Sequence, residues 1–182
     1  MKVQELSIKG VFELTPTVYK DDRGFFFEAF NENSFKISGV PHYFVQDNQS
    51  FSKKGVVRGL HFQKAPFAQG KLVRVLSGHI IDVVVDLRKD SPTFGQSLQI
   101  PISSDTGNMV YVPVGFAHGF VAVEASMVLY KCTNGYDKSS DGGLRWDDPE
   151  LNINWGLQDP PILSDKDKAL PFLKDIIHDL AF

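Results

Sequence analysis

Histidine is the natural general base near neutral pH, and the chain carries His at 42, 61, 79, 118 and 178. None stands in a His-x-His, His-x-x-x-His or His-Glu-x-x-His spacing, so a metal centre of the usual jelly-roll kind is not expected. Spacing alone leaves open a site built from His61, His118 and a remote carboxylate. His61 lies in Val56-Val57-Arg58-Gly59-Leu60-His61-Phe62-Gln63. Strand alternation puts Leu60 and Phe62 on one face and the imidazole on the other. That other face is then a polar interior needing partners, or else His61 is a core histidine with its ring satisfied. Arg58, three residues away, falls on the opposite face from His61 unless Gly59 hosts a bulge. Lys71 and Arg74 open the following strand. Alone they read as a solvated face. With Arg23 and Arg58 they make four cations near apolar segments of an acidic chain, a pattern suited to a phosphate or diphosphate. Tyr130, inside Met127-Val128-Leu129-Tyr130-Lys131, reads locally as a core aromatic. Asp167 follows Ser164 by three, the spacing of a capping box.

Short β-rich runs must position these groups. The chain has 15 Phe against 5 Tyr and 2 Trp, and Phe suits pleated, half-buried surfaces. Runs at residues 24–30, 43–51, 55–63, 71–76, 79–88, 97–102, 109–114, 119–124 and 126–133 are bounded by turn residues. About nine strands with little helix between them predict an all-β sandwich or barrel. Ser77-Gly78 has the composition of a tight hairpin turn. Residues 31–38 predict one short helix, and 174–181 form an amphipathic segment after a Ser164 N-cap. Length predicts one domain over residues 1–182.

Composition narrows the function classes. Lys plus Arg is 19 and Asp plus Glu is 22, a net charge of −3, against the basic excess of nucleic-acid binders. Cys132 is the one cysteine, so no internal disulfide forms and a reducing compartment is expected. Residues 1–6 hold no apolar run, so no secretory signal is expected. Residues 110–123 carry no Asp, Glu, Lys or Arg, but they are too short for a span and are broken by Pro113, Gly115 and Gly119. The expectation is a soluble, cytoplasmic protein. No Gly-x-Gly-x-x-Gly fingerprint for a nicotinamide cofactor is present.

Taken in order, the motifs resemble the dTDP-4-dehydrorhamnose 3,5-epimerase family. The carriers are Asp22-Arg23-Gly24-Phe25-Phe26-Phe27-Glu28, Phe44-Val45-Gln46-Asp47-Asn48, Val57-Arg58-Gly59-Leu60-His61-Phe62-Gln63 and Gln69-Gly70-Lys71-Leu72-Val73-Arg74. Asp82-Val83-Val84-Val85-Asp86-Leu87-Arg88, Ser91-Pro92-Thr93-Phe94-Gly95, Val112-Pro113-Val114-Gly115-Phe116-Ala117-His118-Gly119-Phe120, Leu129-Tyr130-Lys131-Cys132-Thr133 and Arg145-Trp146-Asp147-Asp148-Pro149 complete the set, over about residues 5 to 170.

The resemblance implies a metal-free, cofactor-free cupin-type jelly roll, a homodimer, with the site inside the barrel. It also implies inversion at C3 and C5 of dTDP-4-dehydro-6-deoxy-D-glucose, giving dTDP-4-dehydro-L-rhamnose on the way to dTDP-L-rhamnose. By similarity His61 is the base, Asp167 its orienting partner, Tyr130 the acid on the other face and Lys71 a cation near the C4 oxygen. Arg23 and Arg58 match diphosphate contacts. Glu28, Gln46, Asp47 and Asn48 match other substrate contacts, as do His118, Asp141 and Lys166, and Tyr136 matches the aromatic that stacks on thymine. Gln49, Gly135 and Asp141 depart from the usual family pattern around the nucleotide pocket. A single-site epimerase of a related sugar is the alternative within the fold. A non-catalytic sugar-nucleotide binder is the alternative outside it.

Overall fold

The computed structural model describes residues 1–180 and 182. In chain order the elements are β1 (Lys2–Glu5), β2 (Phe12–Thr15), β3 (Tyr19–Asp21), β4 (Gly24–Phe26), α1 (Glu32–Ile37), β5 (Gln46–Ser52), β6 (Val57–Gln63), β7 (Lys71–Ser77), β8 (His79–Asp86) and β9 (Ser97–Ser103). Then come β10 (Met109–Val112), β11 (Phe116–Ala122), β12 (Ser126–Cys132), β13 (Asp141–Gly143), α2 (Asp165–Lys168), α3 (Leu173–Ile176) and a 3-10 turn (Ile177–Asp179). The strands build a sheet in the order β1-β2-β10-β7-β12-β5, a second in the order β13-β6-β11-β8-β9, and a two-stranded ribbon β3-β4. Among the described residues all pairings between these strands are antiparallel, and one isolated parallel bridge joins Val56 to Ile162. This is the expected all-β jelly-roll sandwich with short peripheral helices.

The two sheets face each other over a shared apolar layer. Val73 and Val75 of β7, Val110 and Val112 of β10 and Val128 of β12 meet Ile80 and Val84 of β8, Ile100 and Ile102 of β9, and Phe116 and Phe120 of β11. The outer faces are covered as well. Leu144, Leu151, Trp155, Leu173 and Leu180 close over Leu60, Phe62, Val83 and Val85. Phe35 of α1 and Val40 close over Leu14, Leu72, Met109 and Tyr111. Double coverage explains why β8 reads as the near-continuous apolar run His79-Ile80-Ile81-Asp82-Val83-Val84-Val85-Asp86.

Several sequence expectations are revised. β1, β2 and β3 lack dense apolar runs, because they pair at a sheet edge or in the exposed ribbon. β13 contains two glycines and is held by β6. Ser77-Gly78 does not close a hairpin, since β7 and β8 lie in opposite sheets. It is a corner, where Gly78 takes φ +89° and an added Cβ would stand 2.5 Å from Ala125 O. The helix at 31–38 forms over Glu32–Ile37, with the Asn31 side chain accepting from the Asn33 and Ser34 N–H groups. The C-terminal segment breaks into α3 and the 3-10 turn, and the expected helix's last residue, Ala181, lies outside the described residues. Among the described residues no helix is long and apolar enough to cross a membrane.

Candidate active site

The space between the sheets is apolar at one end and polar at the other. The polar end opens into two adjoining cavities of about 200 and 280 Å³ that share His61, Lys71, Tyr130 and Lys166.

A bulge at Gly59, one of the two arrangements the sequence leaves open, builds the first wall. Along β6 and β11, His61 pairs with His118 and Arg58 pairs with Phe120, so Gly59 and Leu60 together oppose Gly119. The extra residue rotates Arg58 onto the side of His61. Both side chains line the larger cavity, while Leu60 and Phe62 point into the outer core. Only glycine fits the bulge. Gly59 has φ +118°, and an added Cβ would stand 2.6 Å from Gly119 Cα and 2.8 Å from His118 O.

His61 Nε2 lies 2.6 Å from Asp167 Oδ1, with the carboxylate almost fully buried. The segment carrying Asp167 is tied beside β6 by bonds from Val57 N–H to Ile162 O (3.1 Å) and from Ile162 N–H to Gly55 O (2.9 Å). Ser164 caps α2, its hydroxyl accepting from Asp167 N–H at 3.1 Å. The capping spacing therefore holds for the backbone, while the Asp167 carboxylate faces His61. Burial pushes the Asp167 carboxyl up, but hydrogen bonds involving His61, Ser164 and the Gly59 backbone outweigh it and hold it below the usual carboxylate range. A second such pair, His118 Nε2 to Asp82 Oδ1 at 2.7 Å, stands buried behind the same cavity. Asp82 escaped the sequence reading. Its one signal was a carboxylate inside an apolar strand.

The opposite sheet supplies Tyr130 from β12 and Lys71 from β7. Lys71 Nζ lies 5.9 Å from the Tyr130 ring centroid, and Cys132 is the cross-strand partner of Lys71. Burial pushes the Lys71 ammonium below the ordinary lysine value, against the opposing pull of Cys132, Asp82 and Asp141. Burial pushes the Tyr130 phenol up, with Cys132 adding to the effect and Arg58 opposing it.

Tyr136, Asp141 and Lys166 stand together at the mouth. The Tyr136 hydroxyl donates to Asp141 Oδ2 at 3.3 Å, and the Lys166 ammonium pairs with the same oxygen. Gln46 and Asn48 line this mouth, Gln46 Oε1 accepting from Tyr136 N–H at 2.9 Å. Gln63 was missed as a site residue. It anchors the mouth loop by donating to Phe67 O (2.6 Å) and Gly135 O (3.0 Å) and accepting from Asp137 N–H (2.8 Å). Its position two residues after His61 on one strand face was the available signal.

Four charged candidates lie away from these two cavities. Arg23 sits on the exposed β3-β4 turn paired with Asp21. Glu28 accepts from Asn31 and Ser34 at the start of α1. Asp47 points outward from β5 to Lys131 Nζ at 2.9 Å. Arg74 lies over the Phe27 ring, 5.8 Å from its centroid. The expected four-cation cluster thus does not assemble within one chain. Arg74 is three residues from Lys71, so alternation turns it to the other face. Among the described residues no three His, Cys, Asp or Glu side chains are grouped to hold a metal ion.

This geometry has known counterparts. The sequence profile of the dTDP-4-dehydrorhamnose 3,5-epimerase family matches residues 5–175. The chain belongs to that family. It is 48% identical to the dTDP-4-dehydrorhamnose 3,5-epimerase of Salmonella typhimurium over 95% of this chain and 96% of that one. The crystal structure of the Bacillus anthracis enzyme of the same name, with TDP and PPi bound, aligns with a TM-score of 0.91 at 49% identity, covering 94% and 99% of the two chains. ChmJ, a 3'-monoepimerase from Streptomyces bikiniensis solved with dTDP-quinovose, aligns with a TM-score of 0.90 at 32% identity over 96% and 89%. The chain is thus an epimerase of the cupin-type jelly-roll class.

Proposed function

We propose that this chain inverts C3 and C5 of dTDP-4-dehydro-6-deoxy-D-glucose to give dTDP-4-dehydro-L-rhamnose. The observation that carries the mechanism is His61 on one sheet, paired with Asp167 of α2, facing Tyr130 and Lys71 on the other sheet across one cavity. The C4 ketone acidifies the hydrogens on both neighbouring carbons. His61 takes one of them. With Nε2 held by Asp167, Nδ1 is the ring nitrogen that exchanges protons, and no described residue bonds it. The enolate charge that develops on O4 meets the Lys71 ammonium in a partly dehydrated wall, where electrostatic stabilisation is strongest. Inversion needs a proton from the opposite face. Tyr130 is suited to give it, because it reaches the sugar from the other sheet. Arg58 and Lys166 are suited to the diphosphate, and Tyr136 to the thymine. Gln46, Asn48, His118 and Asp141 complete the wall.

Arg23 and Glu28 act on substrate only if the β3-β4 ribbon and the residues that follow it enter the cavity of a second copy. Tyr19, Phe25 and Phe26 of that ribbon are 64%, 65% and 70% exposed, an apolar surface that association would cover. We therefore read the protein as a homodimer with shared sites. Sedimentation should give a dimer that Phe26→Asp weakens. The buried, unpaired Cys132 fits a reducing, cytoplasmic setting.

Turnover in D₂O, with a reductase trapping the product, tests the reaction. Deuterium and inversion at both C3 and C5 are expected. Label at one carbon only would make the protein a single-site epimerase, the activity in the name of ChmJ. Substrate binding without label at either carbon would leave a binding module.

A further inference from the structure

Three small polar side chains of β5, Asn48, Ser50 and Ser52, alternate toward the space between the sheets. Two of them have protein partners. Asn48 accepts from Gln46 at 3.0 Å and donates to Cys132 Sγ at 3.5 Å. Ser52 accepts from Arg58 Nε at 3.0 Å, which fixes the guanidinium at the cavity wall. The middle one is different. Ser50 Oγ is buried with no partner among the described residues, and Ser50 lines the larger cavity together with Arg58, His61, Lys71 and Tyr130. Its cross-strand neighbour is the fully buried Val128, so nothing on the apolar side can take the hydroxyl. A buried hydroxyl without a partner makes the chain less stable than alanine would at the same position. The residue lines the larger cavity, and rotation about χ1 turns the hydroxyl toward it.

We infer that Ser50 Oγ is the wall contact for the C2 hydroxyl of the hexose. The inference rests on the proposed reaction, and chemistry selects the hydroxyl. In a 4-keto-6-deoxyhexose joined to diphosphate at C1, only C2 and C3 carry free hydroxyls. C3 is a reacting carbon, and its hydroxyl changes direction on inversion. The C2 hydroxyl keeps its configuration through substrate, enolate and product, so a fixed wall group can hold it throughout. Ser50 thereby keeps the ring seated while its two flanking carbons change hand. A polar wall group also discriminates, because an analogue without the hydroxyl leaves Ser50 unpaired again.

The test is a cycle of one substitution against one missing hydroxyl. The kcat/KM of wild type and Ser50→Ala is measured on dTDP-4-dehydro-6-deoxy-D-glucose and on its 2-deoxy analogue. Ser50→Ala should lose about three- to tenfold on the parent sugar, the worth of one neutral hydrogen bond. It should lose less than about twofold on the 2-deoxy analogue. Its melting temperature should equal or exceed that of wild type. Equal losses on both sugars, no loss on the parent, or a lower melting temperature with unchanged kcat/KM would overturn the inference. Binding of dTDP-glucose and dTDP-2-deoxyglucose gives the same comparison without turnover. Wild type should prefer the first and Ser50→Ala should not distinguish them, whereas a wild type indifferent to the C2 hydroxyl would also overturn it. A wild-type protein that binds both nucleotides yet never exchanges hydrogen fails the proposed reaction, an outcome separate from the Ser50 comparison.

Discussion

Asp167→Asn isolates the charge behind His61, the proposed base. The substitution keeps the size of the side chain and leaves the α2 cap in place, because Ser164 accepts from the Asp167 backbone N–H rather than from its carboxylate. An amide can still hydrogen-bond His61. What is lost is a negative charge 2.6 Å from Nε2 at the moment the ring becomes an imidazolium. With charge centres about 4 Å apart and an effective dielectric constant near 20, the attraction is about 4 kcal/mol. The retained neutral hydrogen bond offsets part of this, leaving about 2–4 kcal/mol on the barrier. That corresponds to a fall in kcat of roughly 30- to 1000-fold. Initial rates in the reductase-coupled assay measure it, with calorimetric melting alongside. Ser164→Ala is the counterpart. It removes the cap, costs about 1 kcal/mol and lowers the melting temperature by roughly 2–4 °C, with a smaller effect on rate. If Asp167→Asn kept near-wild-type kcat and lost only melting temperature, Asp167 would be a capping residue and the dyad would be incidental.

Gly59→Ala should be severely destabilising, because φ +118° and a Cβ 2.6 Å from Gly119 Cα together cost roughly 2–6 kcal/mol. The melting temperature should fall by roughly 5–20 °C, and a fall under about 2 °C would show that the bulge does not need glycine. Tyr136→Ala should raise KM by roughly 5- to 100-fold with kcat unchanged, since a stacking aromatic is worth about 1–3 kcal/mol and contacts far from the reacting carbons bind ground and transition states alike. An unchanged KM would move the thymine elsewhere. Asp86 is buried, but hydrogen bonds from Arg88, Ser91 and Thr93 outweigh that burial and hold its carboxyl down at about 2. A depressed carboxylate stabilises the fold above its unfolded pKa and loses that contribution as pH falls through the folded one. Asp86 should therefore contribute about 2 kcal/mol at neutral pH, lost between about pH 4 and pH 2. Asp86→Asn should flatten that part of the stability curve in acid titrations, and an unaltered curve would refute the assignment.

Alternation and glycine chemistry carried the sequence reading furthest where both act locally. Leu60 and Phe62 on one side and His61 on the other were legible, whereas the bulge at Gly59 was one of two arrangements that the sequence left open. The same rule separates Lys71 from Arg74, yet counting cations without applying it produced a cluster that the fold does not contain. Turn composition marked a break at Ser77-Gly78. It could not say whether the next strand returns to the same sheet, because that depends on the partners of β7 and β8 rather than on the two turn residues. Strands β1 to β3, at or next to a sheet edge or in the ribbon, were invisible, since partly exposed strands need not be apolar. Asp167 stands 106 positions from His61, and no local pattern joins them. Locally it read as a helix cap, and only the resemblance linked it to the base. Asp82 and Ser50 depend on which residues share the interior, so they became legible only with both sheets in place.

The sandwich also explains why an inverting enzyme suits this interior. Inversion requires an abstracting group and a donating group on opposite faces of a planar enolate. In the proposed reaction two facing sheets supply those faces, His61 from β6 and Tyr130 from β12. The apolar end of the same interior sets their electrostatics. Burial next to the layer of Val73, Val75, Ile80 and Phe120 lowers the Lys71 pKa and raises that of Tyr130. Raised above its ordinary value, the phenol holds its proton through the neutral range and can donate it to carbon when the enolate collapses. Lys71 is moved the opposite way, but Cys132, Asp82 and Asp141 oppose the loss of its charge. In the proposed reaction Lys71 serves as the cation at O4 and Tyr130 as the acid, and both placements follow from where each strand meets the core.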